Sequence, residues 1–173
     1  MTGRRIVVVG LGNSCRTDDA VGVAVATALK DVALPDVHVV TGIVDPLGLL
    51  EAWAGAGLAI VVDAAVATPS VPGRIRRCAL AELVAARGAL SCHSVDVPAA
   101  YALGQALGRL PDALVVFTVE AGDTGYGIGM TPRIATAVPE VVRLVVAEIG
   151  STRRPGQLQG GGERLSKCPD RAD

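Results

Sequence analysis

Aromatic side chains are scarce in this sequence, with one Trp, one Phe and two Tyr among 173 residues. Base stacking and aromatic-cage recognition both need several such rings, so neither is expected. Net charge is also nearly absent, at -1, and this balance gives no reason to expect nucleic acid or a membrane surface as partner. Cysteine is confined to Cys15, Cys78, Cys92 and Cys168, with no CxxC pair. That argues against a disulfide scaffold or a structural zinc knuckle and for reduced thiols. No apolar run approaches the roughly 18 residues of a membrane span. The opening Met-Thr-Gly-Arg-Arg leads straight into a strand rather than a signal-peptide core, so a cytosolic protein is expected.

What is present in quantity is Ala, Val and Leu, within an apolar share of 50%. A chain near 150 residues buries about 68–70% of the surface its unfolded form exposes. One globular domain over residues 1–150 is therefore expected. Residues 151–173, with three consecutive glycines and little apolar content, read as a disordered polar tail.

Ile6 to Val9 are four consecutive β-branched residues without polar alternation, the mark of a strand covered on both faces. Gly10 and Gly12 turn the backbone at its carboxyl end, and Asp18-Asp19 precede an Ala/Val-rich helix reaching about Lys30. Asp18 reads as the N-cap of that helix. A second strand over Val37 to Val40 contains His38, to which no role is assigned. Asp45-Pro46 then opens a helix expected to carry Leu47, Leu50 and Trp53 toward the core. A third strand from Leu58 ends on Asp63. The charged run Arg74 to Cys78 suits an edge strand, and a short helix over 80–87 follows. The loop Ser91-Cys92-His93-Ser94 precedes a helix from Val97 to about Leu107, and a last strand over Leu114 to Val119 opens into a glycine-rich loop, Gly122 to Gly129. Thr131-Pro132 signals another helix start. Pro139 predicts a break there, with a longer helix resuming to Glu148. The order is that of an α/β fold, an open twisted mixed sheet of about five strands in three layers.

In a doubly wound sheet the ends of strands one and three lie side by side where strand order reverses, and ligands bind there. Asp19 and Asp63 are thus expected in one crevice. Either aspartate alone could do no more than cap a helix or order a loop. Together with His93 they form a ligand set suited to a divalent transition metal with open positions. A dinucleotide site fits less well. Cys15 stands where the fingerprint needs its third glycine, and two acids occupy the helix start where a pyrophosphate would bind. Nothing in the setting of Cys15 marks it as a nucleophile, and no GxSxG elbow supports a serine triad.

Gly10-Leu11-Gly12-Asn13 with Asp18-Asp19 and Gly22 resembles the GxGNxxxxD(D/E)xxG opening of the nickel-iron hydrogenase maturation endopeptidases. Val61-Val62-Asp63-Ala64 resembles the VVDA strand end of that family. The likeness continues through Ser91-Cys92-His93, Ala106 to Pro111, Thr131-Pro132 and Ala137 to Glu140, about residues 4–149 in all. It implies a five-stranded mixed sheet with one antiparallel strand, at Arg74 to Cys78. It also implies removal of a C-terminal extension from the hydrogenase large-subunit precursor once nickel is inserted. Asp19, Asp63 and His93 fall on the family's metal-contacting positions, and the nickel would be carried by the substrate rather than held permanently. The segment Thr41 to Pro46 departs from the acidic Asp-Gly-Gly-Thr-like stretch of many members. Two rivals are a peptidase or amidohydrolase of the same fold carrying its own metal, and a non-catalytic protein that chaperones metal or precursor.

Overall fold

A computed structural model describes residues 5–85 and 95–153. His93 and residues 154–173 lie outside the described residues. The five strands are β1 (Ile6–Gly10), β2 (Val37–Val40), β3 (Leu58–Ala65), β4 (Ile75–Cys78) and β5 (Leu114–Glu120). The helices are α1 (Val21–Val32), α2 (Pro46–Trp53), α3 (Leu80–Ala85), α4 (Val97–Leu107) and α5 (Pro132–Thr152). The strands form one sheet in the order β2-β1-β3-β5-β4. All neighbours are parallel except β4, which runs antiparallel to β5 at the edge. The expected mixed sheet with an antiparallel edge strand at 75–78 is therefore present.

Every residue of β1 is buried, because alternate side chains enter two different cores. Ile6 and Val8 pack with Val25 and Leu29 of α1 and with Val141 and Val145 of α5. Val7 and Val9 pack with Leu50 and Trp53 of α2 and Ala100 of α4. This is the three-layer arrangement, with α1 and α5 on one face of the sheet and α2 and α4 on the other. Asp45 caps α2 as expected, its Oδ1 accepting the Gly48 N–H at 2.8 Å. Leu47 departs from expectation. It is 51% exposed, and Leu49 joins Leu50 and Trp53 in the core instead. The helix thus turns its second residue outward and buries its next turn.

Pro139 does not break the last helix, which is continuous from Pro132 to Thr152. An interior proline costs about 3 kcal/mol through its missing N–H and ring clash. The buried stripe Ile134, Val141, Val145 and Ile149 runs across it, and each such side chain contributes roughly 1.5–3 kcal/mol. Pro139 itself is exposed, so its ring takes no room from the core. Continuous burial outweighs the local defect. The helix also carries Ser151 and Thr152, which the sequence assigns to the tail.

The sheet is stepped at its carboxyl edge. Gly10, the last residue of β1, is in register with Val62, while Asp63, Ala64 and Ala65 continue beside Thr118, Val119 and Glu120 of β5. Asp63 therefore lies inside β3, not at its end as the sequence suggests, and it is the first residue past the point where β1 stops.

Candidate active site

The turn from Gly10 to Asp19 is built by close backbone approach. Leu11 N donates to Val62 O at 2.9 Å, which fastens the turn to β3. Gly12 has φ +120°, and a Cβ there would lie 1.9 Å from Asp19 O; no side chain fits. A Cβ on Gly22 would meet Leu11 O at 2.2 Å and Val62 O at 2.4 Å, so this residue lets the start of α1 rest directly on the strand ends. Between the turn and α1 the chain makes a short 3-10 helix, Thr17–Ala20.

Asp18 and Asp19 sit on this 3-10 turn and both are buried. Asp18 is not the cap of α1, because its carboxylate turns to the opposite end of the chain. Oδ2 accepts the N–H groups of Gly122 and Asp123, each at 2.9 Å, and the Thr131 hydroxyl at 3.0 Å. Oδ1 accepts the Thr131 N–H at 2.7 Å. Thr131 is the N-cap of α5 but makes no side-chain cap of its own. Asp18 thus serves the N-terminus of α5, where a negative charge also complements the helix dipole. Burial alone would raise its carboxyl, but the Thr131, Asp123 and Gly122 donors prevail and hold it below the usual carboxylate range.

The rest of the glycine-rich loop is fastened to the same turn. Thr17 N donates to Gly127 O at 3.1 Å, Gly127 N to Cys15 O at 3.0 Å, and Asp18 N to Asp123 O at 3.0 Å. Thr17 Oγ1 donates to Asp123 O at 2.5 Å, and Arg16 Nε to Thr124 O at 3.3 Å. Cys15 is exposed, with its N–H on Asn13 Oδ1 at 2.8 Å; it is an ordinary turn residue.

At the end of β5 a third buried carboxylate fixes the neighbouring loop. Glu120, 1% exposed, receives Arg74 at 2.6 and 3.0 Å, Arg76 at 3.2 Å and the Val71 N–H at 2.8 Å. The Arg74 guanidinium, helped by the Val71 N–H and the Arg76 charge, holds Glu120 below its ordinary range against the effect of burial. Two of the basic residues read as edge protection, Arg74 and Arg76, therefore have a second use as counter-charges to Glu120, while Arg77 pairs with Glu148. A strand ending in an acid beside an arginine-rich strand was the available signal.

Asp19 faces the other way from Asp18. Its Oδ2 accepts the Asn13 N–H at 3.1 Å, and it lines an open cleft of about 520 Å³ together with Gly12, Asn13, Arg16, Thr41 to Val44 and Val95. Asp63, half-buried, projects from β3 on the same side as Ala59 and Val61, the α2/α4 face. The turn that holds Asp19 is itself bonded to Val62, the residue before Asp63. Both acids thus stand where strand order reverses between β1 and β3, as the topology requires. Asp45 is taken up in capping α2, and His38 is exposed on the outer strand β2.

The sequence of residues 23–148 matches the family model of the hydrogenase maturation proteases. The chain is 28% identical over 148 residues to the hydrogenase 2 maturation protease of Escherichia coli K12, covering 84% of this chain and 90% of that protein. Among solved structures it superposes on the E. coli hydrogenase maturating endopeptidase HybD with a TM-score of 0.75, 24% identity, and coverage of 86% and 93%. The [NiFe] hydrogenase maturation protease HybD of Thermococcus kodakarensis gives 0.66 and 19%, with coverage of 83% and 98%. The fold and switch-point acids described above are thus those of a chain that belongs to the hydrogenase maturation protease family.

Proposed function

We propose that this protease removes the C-terminal extension of a nickel-iron hydrogenase large subunit after nickel insertion, acting in the cytoplasm. Asp19, Asp63 and His93 meet the nickel that the precursor carries. The observation that carries the reading is Asp19. It is a carboxylate 2% exposed yet lining an open cleft, with Asp63 on the adjoining strand. The wall of that cleft includes Val95, and His93 stands two positions before it in the sequence.

Metal recognition of this kind makes cleavage conditional. A nickel ion bound by the precursor and by the protease anchors the scissile segment in the cleft, and the resulting effective molarity is lost when the nickel is missing. Hydrolysis then proceeds with a carboxylate as general base toward water or with the precursor's nickel polarising the carbonyl. Incubation with nickel-loaded and nickel-free precursor, read by mass spectrometry, tests the proposal. Cleavage of the loaded form alone, lost in Asp19→Ala and His93→Ala, is expected. Equal cleavage of both forms, or undiminished cleavage by those variants, would refute it.

A further inference from the structure

Two charged side chains, Arg16 and Asp19, stand among the described residues that line the cleft. They are three positions apart in the chain and opposite in sign. Arg16 is half-buried, and its orientation is set from two sides. Nε donates to Thr124 O at 3.3 Å, and Cζ lies 5.7 Å from the centroid of the Tyr126 ring, within cation–π range. Tyr126 is itself 91% exposed on a loop fixed from below by Asp18. Arg74, Arg76, Arg77 and Arg143 each pair with a glutamate. Among the described residues no carboxylate pairs with Arg16, and its Nη atoms carry no hydrogen bond.

A guanidinium held this way has its terminal N–H edge set for a planar, two-oxygen acceptor. A polypeptide entering the cleft strips water from it, and a desolvated cation without a counter-charge is strongly unfavourable. The occupant must therefore supply an anion at the Arg16 side while its cation meets Asp19. We propose that Arg16 is a specificity residue that binds a carboxylate of the precursor's C-terminal extension and so sets the direction in which the segment lies. This rests on the function proposed above. The carboxylate belongs either to an acidic side chain of the extension or to the terminus of the chain.

The test is steady-state cleavage of nickel-loaded precursor by the wild type, Arg16→Gln and Arg16→Lys. Three substrates are compared: the natural precursor, one with the acids of the extension changed to amides, and one lengthened by a short Gly-Ser tail that displaces the terminal carboxylate. Arg16→Gln should raise KM about tenfold or more with kcat largely kept, and Arg16→Lys should recover part of the loss. One altered substrate should reproduce the KM increase with the wild type and show no further loss with Arg16→Gln, which identifies the carboxylate. An unchanged KM for Arg16→Gln, losses that simply add, or full wild-type efficiency on both altered substrates would overturn the assignment while leaving the protease function intact. A wild type that leaves nickel-loaded precursor uncut removes the function and this role with it.

Discussion

Asp18 takes both the backbone N–H and the hydroxyl of Thr131, at 2.7 and 3.0 Å, across 113 residues of sequence. This contact joins the first turn of the chain to the start of its last helix, and two further amides, those of Gly122 and Asp123, share the same carboxylate. The carboxylate is thus a main anchor of the loop beside the cleft, with glycines at 122, 125, 127 and 129, alongside the contacts from Thr17, Arg16 and Cys15. Asp18→Asn replaces one acceptor oxygen by an NH2 facing N–H donors. A loss of about 2–4 kcal/mol is expected, since hydrogen bonds to a charged group contribute roughly 1.5–3 kcal/mol each and stranded buried donors add to the cost. Urea denaturation measures it; a change below about 0.5 kcal/mol would mean that the other loop contacts suffice.

Acid stability follows from the same groups. Asp18, Glu120 and Glu148 all hold their protons more weakly in the fold than ordinary carboxyls do. For Glu148 the main cause is its hydrogen bond to Arg77. As pH falls, the unfolded chain therefore takes up protons first. Their contribution is complete above the unfolded carboxyl range of about 4 and is lost as pH drops through the lower folded values. On account of these groups, thermal melts should change little from pH 7 to 5 and decline below about 4. Asp18→Asn should show a shallower decline, because one of the responsible groups is gone.

Gly22→Ala tests the backbone contact between α1 and the strand ends. Its Cβ would meet two carbonyl oxygens, which cannot rotate aside as a side chain can. A loss of at least about 3 kcal/mol, at the upper end for overpacking, is expected in thermal denaturation. Gly104→Ala crowds the ends of Leu110 and Leu50, both at 2.9 Å, with Arg109 O at an ordinary 3.7 Å, and should cost less. Equal losses would show that α1 can shift.

Pro139→Ala should stabilise the protein. It restores an N–H in mid-helix at an exposed position, against the roughly 0.4–1 kcal/mol that proline saves by restricting the unfolded chain. A net gain of about 1–2 kcal/mol and a higher Tm are expected. A lower Tm would mean that the packing of α5 depends on the distortion proline introduces.

Asp63→Asn separates catalysis from stability. Asp63 is half-buried on β3, next to the residue that holds the Asp19 turn, and this near-isosteric substitution should leave the melting curve nearly unchanged while abolishing cleavage of nickel-loaded precursor. Retained cleavage would remove Asp63 from the mechanism.

Residue patterns revealed the architecture because strands buried on both faces and a proline-started helix leave local marks. Ile6 to Val9 and Asp45-Pro46 are such marks. Asp19 and Asp63 could be assigned to the same edge of the sheet because parallel topology sets β1 beside β3, although β3 runs two residues past Asp63. The role of Asp18 was not legible. An aspartate one turn before a helix looks like a cap whether its partners are three residues away or 113, and only the tertiary structure tells them apart. Arg16 carries no mark in the sequence for a related reason: its significance lies in the Tyr126 ring and Thr124 carbonyl that orient it and in the lack of a paired carboxylate among the described residues. Pro139 misled because the penalty for a proline is local, whereas the stripe that overrides it spans four turns.

The tie between Asp18 and Thr131 also sets a schedule for biosynthesis. At roughly 5–20 residues per second, about 6–23 s separate the synthesis of Asp18 from that of Thr131. Until Gly122 and Asp123 are made the carboxylate has none of the four donors that later surround it, and the two from Thr131 come last. A nascent chain can pair β1 with β2 and β3, yet the loop that orients Arg16 beside the cleft is fastened only when residues 122–131 arrive. The peptidase is thus kept incomplete on the ribosome by the order of its own sequence.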